Sequence, residues 1–244
     1  MAASWRPWHR GNEELRLYAN YRNTYKPAAI DFGLDTDPSI LKPETADSYE
    51  AGAKSRLAGG KVELELEGFW LNFRNLVVSQ EVDGLPALVN AGKERLKGIE
   101  ASLSARLAHD MRVQLAYSFH DARFTDFVSD FGDGPTQVAG NRLPASARHM
   151  GSAAFTYSPA RGVNAYAQLQ LVGTRFLDEV NTALVPGYAT LSAGIGYRID
   201  RWEIRINGRN LNDERAPVSL SEMGSGAFYL LPPRRVDASV SVHF

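Results

Sequence analysis

His120 and Asp121 stand side by side, the smallest grouping that could supply a general base and the carboxylate that orients it. Hydrolysis by an activated water would need further acids converging on the pair, and otherwise His120 is a solvated histidine at a rim. Glu63, Glu65 and Glu67 set three acids at alternate positions, which an extended strand carries on one face. Arg106 and Arg112 would neutralise them there, or a cationic ligand would. Arg205 and Arg209 repeat the spacing with the opposite sign. Tyr25 and Phe124 end two apolar segments and are the aromatic candidates for stacking on a ligand. His109 and His149 are isolated, there is no HExxH and no cysteine, so no metal site and no cofactor are expected. Gly194-Ile195-Gly196 and Gly224-Ser225-Gly226 continue into neither a P-loop nor a dinucleotide fingerprint.

The elements that would hold these groups are strands. Ten segments alternate apolar and polar residues: 14–25, 45–57, 61–78, 93–107, 110–124, 147–158, 162–175, 187–199, 201–211 and 234–244. In nine of them one row is free of charge. Met111, Val113, Leu115, Tyr117 and Phe119 form such a row, as do Trp202, Ile204, Ile206 and Gly208. The opposite rows carry the charges, for example Glu203, Arg205, Asn207 and Arg209. The sixth segment is ambiguous. Tight turns fall at Gly59-Gly60, His109-Asp110, Pro159-Ala160 and Asp200-Arg201. Long connections fall at 26–44, 79–91, 122–140, 176–186 and 212–234.

A soluble antiparallel sandwich also alternates. Two features favour a transmembrane β-barrel. The segments exceed the usual strand of about 5–6 residues and suit the roughly 9–11 residues of a tilted strand crossing hydrocarbon. Tight turns and long loops also take strict turns along the chain, the layout of an outer-membrane barrel with its loops outside. No apolar run approaches the ~20 residues of a spanning helix. A net charge of −1 gives no electrostatic reason to expect nucleic acid. The lack of cysteine suits passage through an oxidising periplasm. Residues 1–13 lack the apolar core of a secretory signal and are taken as an N-terminal extension, with 14–244 as a partial barrel domain. A self-closed ten-stranded outer-membrane enzyme using His120 is the catalytic alternative.

Several stretches resemble TonB-dependent outer-membrane receptors. They are Leu41-Lys-Pro-Glu-Thr-Ala-Asp-Ser-Tyr-Glu50, Asn90-Ala-Gly-Lys-Glu-Arg-Leu-Lys-Gly-Ile-Glu100, Gly140-Asn-Arg-Leu-Pro144, Pro186-Gly-Tyr188 and Asn207-Gly-Arg-Asn-Leu-Asn-Asp-Glu-Arg215. The close, Pro233 to Phe244, resembles the family's final strand. The resemblance implies an all-β, antiparallel chain of about ten strands, the C-terminal part of a 22-strand barrel, with the plug domain and early strands missing from this chain. It implies a receptor for a scarce nutrient such as a ferric siderophore, energised by the TonB system through the plug. It further implies contact with outer-membrane lipid, and a terminal Phe244 that the barrel assembly machinery recognises.

Overall fold

The computed structural model describes residues 1–27, 30–31, 39–82, 85–90, 92–130, 134–220 and 227–242. One antiparallel sheet dominates, its eleven strands joined neighbour to neighbour in chain order. They are β1 (Ala2–Arg10), β2 (Glu13–Lys26), β3 (Glu44–Leu57), β4 (Val62–Arg74), β5 (Lys93–Arg106), β6 (Met111–Asp126), β7 (His149–Tyr157), β8 (Gly162–Val172), β9 (Tyr188–Ile199), β10 (Trp202–Arg209) and β11 (Arg235–Val242). Among the described residues the sheet is open, with β1 and β11 each paired on one side.

Ten of these strands fall on the ten alternating segments. The eleventh corrects the N-terminal boundary, because Ala2–Arg10 pairs with β2 and is wall, not extension. A bulge hid it. Register slips between Trp5 and Trp8, so Trp5 faces Leu17 while Trp8 faces Leu15. The inserted residue puts tryptophans three apart on one face and erases the period of two.

At one end the strands meet in tight turns. His109 and Asp110 both hold φ 59°, left-handed residues that turn the chain within the three-residue loop closed by Leu107 and Met111. Asp200 (φ 48°) and Gly59 (φ 67°) serve the neighbouring turns. At the other end the long connections carry small hairpins of their own. Val77–Val82 pairs with Leu85–Asn90, Val128–Asp130 with Pro135–Gln137, Arg175–Phe176 with Leu184–Val185, and Pro217–Leu220 with Phe228–Leu230.

The charge-free rows point away from the protein. Leu115 is 45% exposed, Ile204 57% and Val240 62%. A sandwich would bury these three against a second sheet. The buried apolar residues lie instead at the long-loop end, where Phe124, Phe127 and Val138 form a small core. The wall is one layer thick, and its apolar side needs a non-aqueous solvent.

Candidate functional site

The inward rows make a polar lining of paired charges. Glu63 meets Arg106 at 3.6 Å and Arg56 at 3.9 Å. Glu65 meets Lys54 at 2.5 Å, and Glu67 accepts a hydrogen bond from the Tyr18 hydroxyl. The triple-acid row therefore finds one expected partner, Arg106. Arg112 lies across from Arg106 in register. Nearer the turns, Glu203 is almost enclosed, with Arg205 at 2.5 Å, Arg198 at 3.0 Å and the buried Asn164 amide donating at 3.3 Å. That arrangement compensates a carboxylate held off water.

Side chains cross this wall closely where glycine permits. A Cβ on Gly98 would stand 2.1 Å from the Phe119 carbonyl oxygen and 2.8 Å from the Phe69 ring. The site accepts no side chain at that position.

The loops are braced to one another. Asn90 donates its amide to the carbonyls of Lys42 and Asn75 at 2.9 Å each, and the Lys42 amide donates back at 2.6 Å. Asn181 and Arg142 exchange two hydrogen bonds, 2.7 and 2.9 Å. Arg175 lies over the Tyr188 ring and donates to the Pro217 carbonyl. The Asp178 carboxylate receives Thr182 N at 2.9 Å, Thr182 Oγ1 at 2.6 Å and Ala183 N at 2.8 Å. Burial alone would raise its pKa, but those bonds outweigh burial and hold it below the ordinary carboxylate value. At the adjacent Glu179, burial and then the Asp178 charge raise the pKa.

The sequence candidates separate on this frame. His120 and Asp121 do not act together, since neighbours on a strand point to opposite faces. His120 Nε2 sits 2.9 Å from Glu100 inside the wall, while Asp121 pairs with Arg123 at 2.9 Å and Arg148 at 3.3 Å on the outer row. Phe124 is 4% exposed and stacks on Phe127 with ring centres 4.7 Å apart. Tyr25 is 72% exposed and shares the outward row of Leu15, Leu17 and Tyr21. The two aromatic candidates thus occupy opposite faces. Phe244 lies outside the described residues. Sequence reasoning missed the loop braces, because an Asn or Asp that ties two loops has no periodic signature.

A single-layer wall with an apolar outside, an ion-paired inside, tight turns at one end and braced loops at the other defines a transmembrane β-barrel wall of the outer-membrane type. Residues 2–211 match the family model described as TonB dependent receptor-like, beta-barrel, and the chain belongs to that family of outer-membrane receptors. It is 28% identical to the ferric-pyoverdine M114 receptor PbuA of Pseudomonas sp. (strain M114), over 96% of this chain and 28% of that protein. It is 24% identical to the ferrioxamine B receptor of Salmonella typhimurium (strain SL1344), over 93% of this chain and 32% of that protein. Among solved structures, the ferric yersiniabactin uptake receptor FyuA from Yersinia pestis superposes with a TM-score of 0.81 at 21% identity, covering 100% of this chain and 36% of that one. The chain spans about a third or less of the relatives it matches.

Proposed function

We propose that this chain forms part of the wall of an outer-membrane receptor that binds a ferric siderophore outside and imports it with TonB-derived energy. The observation that carries the proposal is similarity to siderophore receptors along nearly the whole chain, 96% of it in the pyoverdine case. The chemistry is binding and gated passage. The wall contributes its ion-paired lining, which a plug domain would face, and its braced loops, which fix the shape of an external vestibule. In the assembled receptor the open sides of β1 and β11 pair with further strands, since an unpaired edge in hydrocarbon costs several kcal/mol for each unsatisfied group. Phe244 serves the assembly machinery as the terminal aromatic.

The experiment uses the receptor that carries this chain in its own outer membrane under iron limitation. Uptake of a panel of radio-iron siderophores is compared with and without the receptor, and with and without the TonB complex. One or more siderophores should require both. Uptake independent of TonB, or no dependence on the receptor for any ferric chelate, would overturn the reading.

A further inference from the structure

Register sets the inward residues of β2 to β9 in level rows, and each row changes character halfway along. On β2 to β4 one row holds Arg16, Lys54 and Glu65. It continues through Ser102 to Ala116, Ser152, Gln170 and Thr190 on β6 to β9. The row nearer the turns passes from Glu14, Arg56 and Glu63 to Gln114, Ala154, Gln168 and Ser192. The row nearer the loops ends in Ser118, Met150, Val172 and Tyr188. Over these three rows β6 to β9 present no charge. Four strands at about 4.8 Å spacing make this neutral strip roughly 19 Å wide. Charges return toward the turns, at Arg112 on β6 and at Glu203 with Arg198 and Arg205.

The two halves of the lining act differently on a solute. Fixed charges attract one sign and repel the other at close quarters. Passage needs contacts favourable enough to enter and weak enough to leave. Hydroxyl and amide groups meet that need, because they exchange hydrogen bonds with water at small net gain. The neutral strip is also recessed. A hollow of about 570 Å³ opens over Ala116, Ser118 and Ser152, whose short side chains leave the space, and Glu65 and Glu100 stand at its charged edge.

We propose that the ferric chelate passes along the neutral strip of β6 to β9, and that the charged half on β2 to β4 lies off its path. The strip offers short polar side chains of no charge, so a bulky chelate of either sign slides over it without being trapped. Selection between chelates then belongs to the loops and not to this side of the wall. The inference rests on the import reading above and assigns the side of the wall that import uses.

The test uses the receptor carrying this chain in cells under iron limitation, with each radio-iron siderophore of the panel that requires it. Ser152→Cys and Gln170→Cys place a thiol on the strip, and Arg16→Cys places one on the charged half of the same row. Methyl methanethiosulfonate adds a small group to each thiol, and a fluorescein maleimide adds a bulky one. The thiols at positions 152 and 170 should react during import. Because a pore responds to its free diameter, the bulky adduct there should slow uptake by about tenfold or more, while the small adduct and either adduct at position 16 should leave it within about twofold. Binding to de-energised cells should stay unchanged throughout. Equal loss at all three positions, or no loss from the bulky adduct on the strip, would overturn the proposal. Thiols at 152 and 170 that stay unreactive during import would mean a covered strip and overturn it equally. These results leave the import reading standing, whereas a panel with no receptor-dependent uptake sinks that reading and this inference with it.

Discussion

Trp70 and Lys97 face each other across β4 and β5, and the Lys97 ammonium stands 5.3 Å from the centre of the indole ring. The pair marks the level at which the outer surface changes solvent. Below it the outward residues are Gly68, Leu66 and Leu64. Above it they are Asn72 and Arg74. Indole rings favour the boundary between acyl chains and head groups, and a lysine over the ring keeps its charge on the wet side.

Depth should therefore govern the cost of an added charge. Leu115→Arg, in the belt three layers below the Trp70–Lys97 level on β6, is expected to destabilise the inserted protein by about 2–4 kcal/mol. Gln114→Arg, one residue away on the inner face, should cost much less. Denaturant titration of folded protein in lipid vesicles measures both.

Gly98 is tested by one methyl group. Gly98→Ala would force backbone and ring apart, because the Phe119 carbonyl and the Phe69 ring already occupy the space. A loss of about 1–3 kcal/mol, the usual range for overpacking, should appear in the same titration. Gly68→Ala has open space and should be nearly neutral.

Glu203 offers a comparison with Glu63. Glu203→Gln leaves Arg198 and Arg205 without their carboxylate. Breaking a buried pair costs about 3–5 kcal/mol, and the partial exposure of both arginines, 28% and 31%, reduces the expectation to about 1–3 kcal/mol. Glu63 is half exposed, and Glu63→Gln should cost under about 1 kcal/mol.

Asp178 and Glu179 should respond to pH in opposite senses. The Asp178 pKa is depressed on folding, so its contribution is present above about pH 4 and is lost as pH falls through the still lower folded value. The Glu179 pKa is raised, so its charge opposes loop closure at neutral pH, and protonation relieves this as pH falls. Asp178→Asn should speed amide exchange at Thr182 and Ala183 at pH 7, with the difference shrinking near pH 3. Glu179→Gln should slow it at pH 7. Exchange rates corrected for intrinsic pH dependence measure both.

Ten strands, and the facing of nine of them, were legible because a charge in the outward row is costly in lipid, so alternation is enforced wherever the wall meets acyl chains. Glu203, Arg205 and Asn207 against Ile204 and Ile206 is such a passage. Legibility failed where that pressure stops. In β1 the bulge at Trp5 to Trp8 shifts the period. From the Trp70 level toward the loops, Arg95, Lys97, Asp121 and Arg123 continue the outward rows, and although they lie in segments read as strands, their charges end the apolar row. The pairing of Asn181 with Arg142 joins residues 39 apart, and nothing local in either stretch announces the other.

The central claim is that the charge-free rows touch acyl chains. The chain contains no cysteine, so single cysteines introduced at Val113, Gln114, Leu115, Ala116 and Tyr117, and at Ile204 and Val240, can each carry one spin label. In membranes the labels at 113, 115, 117, 204 and 240 should be relaxed by oxygen dissolved in lipid, and those at 114 and 116 by a water-soluble nickel complex. Labels at Leu115, Ile204 and Val240 that are shielded from both reagents would place those side chains in a dry protein interior and contradict the account.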